Sequence, residues 1–342
     1  MIIQQNEILE KTPLLDEQGR IVHPGFSRKM NYIYNREQVR AHPFALKEWD
    51  FYQISCGGSW ILQMTIGHVS YAGNFSAALF NIYTGVKKEF SRMSPFPLKK
   101  IPMTRNPEFP GAIGVQDRDY RILFQTGEHS RLLTLRAEDS ELGLIDIRVH
   151  LENDPDNEKM VIATPFDKPN QFYLNYKENY YRASGRIIFG DLSVTLKHDA
   201  NALLDWGRGV WPFHQEWYWG NGACLVDGVP FGFNIGWGFG NLSCATENIF
   251  FYNRIGIKLD TVTLTKDEKD WRKPWHFKSS DGAFDFLMKP VFDNDTRTEL
   301  AFVKNRCHQV FGILNGTAAL PDGRVIHIKD MTAFCEHAVN RW

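Results

Sequence analysis

The segment from Asp205 to Asn248 reads DWGRGVWPFHQEWYWGNGACLVDGVPFGFNIGWGFGNLSCATEN. Its aromatic residues alternate with small or polar residues, and the pair Asp227-Gly228 interrupts the alternation as the turn of a β-hairpin does. After this turn, one strand face carries apolar side chains, namely Phe231, Phe233, Ile235, Trp237 and Phe239. The opposite face carries small or polar residues, namely Gly232, Asn234, Gly236, Gly238 and Gly240. The segment therefore predicts paired antiparallel strands.

The rest of the chain repeats this pattern of short apolar runs between turn signals. Further turns are expected at Gln18-Gly19, Asp281-Gly282 and Asp322-Gly323. Helical patterns are scarce, and only the ranges Tyr34–Leu46 and Met331–Trp342 could form short helices. We therefore predict a mostly β, antiparallel fold. The length of 342 residues allows two β domains, which we expect to span residues 1–190 and 191–342.

Composition and charge narrow the classes of partner and the compartment. The net charge of −1 provides no broad positive field for nucleic acid. No apolar run is long enough to span a membrane, and the range Met1–Asp16 lacks a secretory signal. We therefore expect a cytoplasmic protein that binds a small molecule, without nucleic acid and without a transmembrane segment. The sequence leaves the oligomeric state open.

Neither a metal nor a cofactor is expected. The histidines do not have the spacing of metal ligands, and the pair His214-x-Glu216 is too sparse to indicate a site. The chain contains no phosphate-binding loop, no His-Glu-x-x-His motif and no Gly-x-Ser-x-Gly motif. These absences argue against kinases, zincin proteases and α/β-hydrolases.

The segment Asp205–Asn248 also carries the residues that we expect to form a binding site. Its carboxylates are candidate catalytic groups, namely Asp205, Glu216 and Glu247. Its aromatic and polar side chains are candidates for ligand binding, namely Trp206, Arg208, Trp211, His214, Trp217, Tyr218, Trp219, Asn234, Trp237 and Asn248. Alternation places His214, Glu216 and Tyr218 on one face of the strand. Gln215, Trp217 and Trp219 lie on the opposite face.

Two features of this segment have a structural alternative. The glycine face around Asn234 could be the floor of a ligand site, which we prefer, or it could be covered by a neighbouring sheet or a Trp side chain. Asp205 could be a catalytic acid kept neutral by an apolar pocket, or Arg208 could hold it in a permanent ion pair. The sequence leaves the role of Asp205 open.

Several motifs resemble a known group of proteins. The range Ala183–Gly209, followed by Trp217-x-Trp219 and Asp227-Gly228, resembles the hallmark of the superfamily of carotenoid 1,2-hydratase (hydroxyneurosporene synthase), AttH and tocopherol cyclase. A bacterial family of unknown function classed beside these proteins shares further motifs, namely Glu48-Trp49-Asp50, Ala163-Thr164-Pro165-Phe166, Leu204-Asp205-Trp206-Gly207-Arg208-Gly209, Asn234-x-Gly236-x-Gly238-Phe239-Gly240, Thr246-Glu247-Asn248, Glu336 and Arg341-Trp342.

The resemblance implies two lipocalin-like (calycin-like) antiparallel β-barrels or half-barrels in one chain, a fold suited to apolar ligands. The C-terminal domain would carry the Trp- and Gly-rich motif. In the hydratases and cyclases an acid in the pocket is thought to protonate an alkene, and Asp205 matches the Asp of their motif. Trp206 stands where those enzymes often have His.

Three functions are open at this point. The leading hypothesis is a protein that binds an isoprenoid, polyene or lipid-like molecule in an aromatic pocket, with acid-promoted hydration or cyclisation as its reaction. The second is a carrier of such a molecule without catalysis. The third is a carbohydrate-active protein that stacks sugars on Trp and uses paired carboxylates among Asp205, Glu216 and Glu247.

Overall fold

The computed structural model describes residues 5–95, 101–300 and 303–341. Strands hold 63% of the described residues and helices 2%, which confirms the predicted mostly β class. The strands form two large antiparallel sheets, and each sheet curls into a half-barrel. The fold is the pair of half-barrels that the resemblance implied.

The N-terminal half-barrel is built from β1 Thr12–Pro13, β2 Gly25–Ser27, β3 Tyr32–Ile33, β4 Leu46–Ser55, β5 Trp60–His68, β6 Ala72–Asn81, β7 Lys87–Pro95, β8 Gly111–Gln116, β9 Tyr120–Thr126, β10 Ser130–Asp139, β11 Gly143–Glu152, β12 Met160–Pro165, β13 Phe172–Phe189, β14 Leu192–Thr195 and β15 Asn201–Val210. The main order of its sheet is β7-β6-β5-β4-β15-β13-β11-β10-β9-β8. Strands β12 and β14 pair with β13, and β2 pairs with β12, whereas β1 and β3 form a separate parallel pair.

The C-terminal half-barrel is built from β16 His214–Val226, β17 Val229–Trp237, β18 Ile249–Tyr252, β19 Ile255–Lys258, β20 Val262–Thr265, β21 Trp275–Ser279, β22 Phe284–Leu300, β23 Val303–Ala319 and β24 Val325–Arg341. Its strand order is β19-β18-β17-β16-β24-β23-β22-β21-β20. The chain passes from one sheet to the other between Val210 and His214. This passage comes later than the predicted boundary after residue 190, because β14 and β15 pair within the N-terminal sheet.

The predicted turns lie where the structure turns. Asp227 and Gly228 join β16 to β17 with positive φ angles of 51° and 80°, the conformation that a two-residue hairpin requires. The pair Asp281-Gly282 lies between β21 and β22, and Asp322-Gly323 lies between β23 and β24. Glycine tolerates the positive φ of these turns, which is why the sequence indicates them so clearly.

The helical predictions were less accurate. The helix expected at Met331–Trp342 is wrong, because residues 331–341 belong to β24, and Trp342 lies outside the described residues. Strand β24 pairs with β16 on one side and with β23 on the other, so sheet pairing uses its backbone groups on both edges. The range Tyr34–Leu46 contains two short 3-10 helices, Arg36–Gln38 and Pro43–Ala45.

Three of the four apolar clusters among the described residues show how the two sheets are arranged. One core fills the N-terminal half-barrel and includes Trp206, and a second fills the C-terminal half-barrel and includes Phe233. A third cluster packs the outer faces of the two sheets against each other, and its members are Ile61, Phe80, Ile82, Leu203, Trp219, Phe311 and Phe334. The third cluster therefore places Trp219 between the half-barrels, whereas Trp206 lies inside one of them.

Gly207 in β15 lies under the indole of Trp49 from the neighbouring strand β4. A Cβ built on Gly207 would lie 2.5 Å from Trp49 Cε2. We expect Gly207→Ala to displace Trp49 and to lower the free energy of unfolding by about 1–3 kcal/mol, the usual effect of overpacking. Chemical denaturation measures the stability, and near-UV circular dichroism reports the Trp environment.

Gly67→Ala is the matched control for this substitution. Gly67 lies opposite Trp49 on the adjacent strand β5, but a Cβ there would meet no atom closer than 3.8 Å. We expect the control to keep both its stability and its Trp spectrum. An equal loss of stability in the two variants would contradict the proposed role of Gly207.

Candidate functional site

A cavity of about 380 Å³ lies between the two half-barrels. The N-terminal sheet supplies one wall, and strands β16 and β22 to β24 with the segment after β17 supply the other. The cavity is lined by Trp49, Phe51, Gln63, Thr65, Tyr173, Lys177, Asp205, Trp211, Trp217, Trp219, Phe239, Glu247, Asn294, Thr296, Asn305, Cys307, Gln309, Glu336, Ala338 and Asn340. Aromatic rings and carboxyl groups thus meet in one place.

Strand register builds the N-terminal wall from residues far apart in the sequence. Phe51 on β4, Asp205 on β15 and Lys177 on β13 are direct partners across three adjacent strands. Thr65 on β5 pairs with Phe51 and extends the row. Because side chains alternate along a strand, Trp206 points away from this row into the core of the half-barrel.

The C-terminal wall has the same construction. Trp219 on β16, Glu336 on β24 and Gln309 on β23 form one row of direct partners. In the next row Trp217 lies opposite Ala338. The predicted face of β16 that carries Trp217 and Trp219 is therefore the face that meets the cavity.

Asp205 is buried in the N-terminal wall. Asn175 Nδ2 donates to its Oδ1 at 2.5 Å, and Trp49 Nε1 donates to its Oδ2 at 3.4 Å. Burial raises the pKa of Asp205, whereas the charge of Lys177 and the two hydrogen bonds act in the opposite direction. Asp205 therefore has hydrogen-bond donors suited to its ionised form inside an apolar site.

Lys177 crosses from the N-terminal wall to the C-terminal half. Its Nζ lies 2.7 Å from Glu247 Oε2 and 4.1 Å from the centre of the Trp219 ring. Asn234 Nδ2 donates to the same Glu247 oxygen at 2.9 Å, and Trp219 Nε1 donates to Asn234 Oδ1 at 2.7 Å. The Lys177 ammonium and the Asn234 amide thus both contact Glu247 Oε2 and fix its position.

Glu336 is the third carboxyl of the cavity. Trp217 Nε1 donates to its Oε1 at 2.9 Å, and Gln309 Nε2 donates to its Oε2 at 3.3 Å. Burial raises the pKa of Glu336 to about 7, because the hydrogen bond from Trp217 and the charge of Lys177 oppose the burial only in part. This carboxyl is therefore partly protonated at neutral pH.

The sequence did not place Glu336 in the site, although the resemblance included it. The signal was present in the alternation, since Glu336, Ala338 and Asn340 share one face of β24 and all line the cavity. It was missed because the terminal range was predicted as a helix. Lys177 and Trp49 carried no local signal, because only the pairing of β4, β15 and β13 brings them to Asp205.

Of the thirteen predicted site residues, five line the cavity, namely Asp205, Glu247, Trp211, Trp217 and Trp219. The other eight lie elsewhere in the described structure, namely Glu216, Trp206, Arg208, His214, Tyr218, Asn234, Trp237 and Asn248. Asn234 nevertheless contacts the site, because its Nδ2 donates a hydrogen bond to Glu247 Oε2. Asn248 connects the segment that contains Glu247 to β17, since its Oδ1 accepts a hydrogen bond from Gly236 N at 2.9 Å.

Arg208 is not paired with Asp205. The two side chains leave β15 on opposite faces, and Arg208 Nη2 lies 2.9 Å from Asp50 Oδ1 inside the N-terminal half-barrel. Its Nε lies 3.7 Å from Glu48 Oε1, and its guanidinium stacks 3.9 Å above the ring of Trp206. The alternative of a permanent Asp205–Arg208 ion pair is therefore wrong, and Arg208 and Trp206 lie inside the N-terminal half-barrel, away from the cavity.

Glu216 lies on the other face of β16 from the cavity Trp residues. It is exposed and its Oε1 lies 2.7 Å from His337 Nε2. Tyr218 stacks between His337 and Trp237, with ring centres 4.4 and 5.2 Å away. Paired carboxylates that include Glu216 therefore do not face one ligand, which removes the basis for that form of the carbohydrate hypothesis.

Protein side chains cover the glycine face of β17. The carboxyl group of Glu247 occupies the space that a Cβ on Gly236 would take, and the side chain of Asn179 lies 3.1 Å from the corresponding position on Gly232. Close packing, the alternative to a ligand floor, therefore describes this face. The cavity lies one layer away, on the other side of Glu247.

The described residues contain no group of three or more His, Cys, Asp or Glu side chains that could hold a metal ion. Within the same residues, no helix has both the length and the apolar character needed to cross a membrane.

Comparisons with known proteins agree with this architecture. The profile of a family described as "Domain of unknown function (DUF2804)" matches residues 5–342. The crystal structure of kievitone hydratase from Nectria haematococca has a TM-score of 0.52 at 10% identity and covers 99% of this chain and 98% of its own. A protein assigned as AttH from Nitrosomonas europaea has a TM-score of 0.50 at 12% identity, and the match covers 89% of this chain and 95% of the AttH chain. These two likenesses show the fold alone. A search of the curated proteins finds no match.

Proposed function

The chain belongs to the DUF2804 family, and we propose that it binds a compact isoprenoid-like alkene between its half-barrels and adds water to the double bond. The observation that carries the proposal is Glu336, a buried carboxyl in an aromatic cavity with a pKa of about 7. A general acid works best when its pKa lies near the working pH. The fold is also that of a protein named as a hydratase, which supports water addition.

The cavity sets the size and character of the ligand. A volume of about 380 Å³ lies in the range of sites for small molecules and is short for a long polyene. Trp49, Phe51 and Tyr173 give one wall an aromatic surface, whereas Asn294 and Thr296 on β22 give the other wall polar groups. We therefore expect an amphipathic ligand with an apolar, unsaturated part and a polar end.

The reaction needs one acid and one base. Protonated Glu336 gives its proton to an alkene carbon, and the resulting carbocation is stabilised by the neighbouring aromatic faces, by about 0.5–2 kcal/mol each. Water then attacks the cation, and the Asp205 carboxylate, which accepts hydrogen bonds from Asn175 and Trp49, takes the proton that water loses. Return of this proton from Asp205 to Glu336 through solvent restores both groups. Glu247, held by Lys177, places a third carboxyl group beside the site of the reaction.

Binding by short isoprenoid alcohols tests the proposal. Geraniol and farnesol are expected to quench the fluorescence of the cavity Trp residues in the wild-type protein and to be hydrated by it. Asp205→Asn is expected to bind but not to turn over, whereas Glu216→Gln is the matched control and should do both, because Glu216 lies on the opposite strand face. Binding without product in the wild type would favour the carrier hypothesis, and absence of binding would overturn the proposal.

The hydrogen bond from Trp217 to Glu336 makes a separate prediction, independent of any substrate. This bond favours the ionised carboxyl, so Trp217→Phe is expected to raise the pKa of Glu336 above about 7. Wild-type unfolding free energy should fall as pH rises from about 4.5 to about 7, and in the variant the fall should extend to higher pH. Denaturation curves over a pH series measure this.

Trp211→Phe is the control for this pH series. Trp211 lines the same cavity, but its ring packs against Trp49 and Tyr173, at 5.2 and 5.8 Å between centres. We expect its pH dependence to match the wild type. Equal shifts in the two variants would show that the Trp217 hydrogen bond does not control Glu336.

A further inference from the structure

A second, smaller cavity of about 200 Å³ opens at one end of the N-terminal half-barrel. Its floor contains Arg131, Tyr176 and Glu178, and the turn between β9 and β10 and the segment between β11 and β12 form its rim. Arg131, Glu178 and the rim residue Lys159 are charged, yet their exposed fractions are only 5%, 1% and 6%. Burying a charge costs free energy unless the charge is well paired, and buried charged groups that converge on a cavity are candidates for a functional site.

A β-bulge in β13 creates this floor. The register shifts between Glu178 and Tyr181, and Tyr180 within the bulge has a φ of 62°, which is rare for a residue other than glycine. Without the bulge, alternation would send Glu178 and Tyr181 to opposite faces; with it, the hydroxyl of Tyr181 donates to Glu178 Oε2. Tyr176 donates to the same oxygen at 2.8 Å. Strained bulges are frequent next to functional sites.

The hydrogen bonds show which charges are available to a ligand. Arg131 uses four of its five N–H donors within the protein, on Tyr181, Tyr52, Thr126 and the carbonyl of Pro107. Lys159 has only long contacts within the described part of the chain, 3.5 Å to Pro155 O and 4.0 Å to Glu178 Oε1. An ammonium has three N–H donors, so Lys159 retains donor capacity.

Two carboxylates retain acceptor capacity. Glu178 Oε1 receives only a 3.5 Å contact from Asn153 Nδ2 and the distant Lys159. Glu108 Oε1 lies 3.3 Å from the hydroxyl of Tyr176, whose single hydrogen is used by the closer Glu178. The cavity therefore presents the Lys159 ammonium and the carboxylates of Glu178 and Glu108 to a ligand, with the exposed carboxylate of Glu128 at its rim.

We propose that this cavity binds a small zwitterion of the α-amino acid type, with its ammonium on Glu178 and Glu108 and its carboxylate on Lys159. The site is separate from the cavity between the half-barrels. Lys177 and Glu178 are neighbours on β13, but Lys177 faces the first cavity and Glu178 faces the second. The proposal therefore does not depend on the proposed hydration.

Calorimetric titration of the full chain with each standard L-amino acid, up to about 10 mM, tests the proposal, since this range detects dissociation constants of millimolar order. We expect at least one amino acid to bind, and its N-acetyl and amide derivatives to lose affinity because each lacks one charge. Lys159→Met and Glu108→Gln should each weaken binding about tenfold to a hundredfold. Glu108 is exposed at the rim, so its variant is expected to fold.

The matched controls are Lys168→Met and Glu141→Gln, which change exposed side chains outside this cavity and should leave the affinity unchanged. Absence of binding by every amino acid would overturn the proposal. Binding that is insensitive to both Lys159→Met and Glu108→Gln would also overturn it, because the ligand would then lie elsewhere. Tight binding of a neutral sugar in place of amino acids would assign the cavity to a different ligand class and would also overturn the proposal.

Discussion

Glu336→Gln is expected to lower kcat for hydration by about 10²–10⁴-fold, the usual contribution of a positioned general acid, and to leave ligand affinity nearly unchanged. The reason is that Gln has nearly the same shape and can still accept the hydrogen bond from Trp217, but it has no proton to give the alkene. Single-turnover kinetics with a bound isoprenoid alcohol would separate this loss from any loss of binding. Retention of more than a tenth of wild-type turnover would remove Glu336 from the role of acid.

The same substitution, which lowers activity, is expected to increase stability. Burial raises the pKa of Glu336 from 4.5 to about 7, so the folded protein retains a proton that the unfolded chain loses between these pH values. The free energy of unfolding of the wild type therefore falls across this window, by an amount on the order of 3 kcal/mol. Glu336→Gln carries no charge to bury and should be the more stable protein above about pH 7.

Arg208→Met is expected to lower the free energy of unfolding by about 3–5 kcal/mol, because it leaves buried Asp50 without its cation and leaves buried Glu48 with Arg36 alone. Burial already raises the pKa of Asp50, and loss of Arg208 removes the largest opposing influence. Urea denaturation at neutral pH measures the effect. Adding Asp50→Asn to the same variant should recover part of the loss.

Arg182→Met is the matched comparison for Arg208→Met. Arg182 also pairs with a carboxylate, Glu152, at 3.0 Å, but both side chains are at least half exposed. Its loss should change the free energy of unfolding by at most about 1 kcal/mol, since solvent screens such pairs. If Arg208→Met were equally mild, the buried network around Arg208 would not be a structural element of the half-barrel.

The sequence predicted local features well. The two-residue turn at Asp227-Gly228, the mostly β class and the shared face of Trp217 and Trp219 all follow from alternation and turn chemistry, which act between residues close in the chain. The resemblance supplied the two half-barrels. The turn, the β class and the shared strand face are the features that residues close together in the sequence determine.

Long-range pairing was beyond such reasoning. Alternation shows which side chains share a face of a strand, but it cannot show which face meets the other sheet. An Asp205–Arg208 pair was considered because their segment was not assigned to a single strand, and within β15 the two residues lie on opposite faces. Lys177 reaches Asp205 only because β13 pairs with β15. The glycines of β17 were correctly identified as a place of close approach, but the group that approaches Gly236 is the side chain of Glu247, which follows β17 in the chain.

The most direct test of the account is hydration in water labelled with heavy oxygen, with geraniol or farnesol as the substrate. The wild-type protein is expected to form a product heavier by one labelled water, Glu336→Gln to form almost none, and Glu216→Gln to match the wild type. The account would be contradicted if bound alkene were recovered unchanged from the wild type, or if Glu336→Gln formed labelled product as fast as the wild type does.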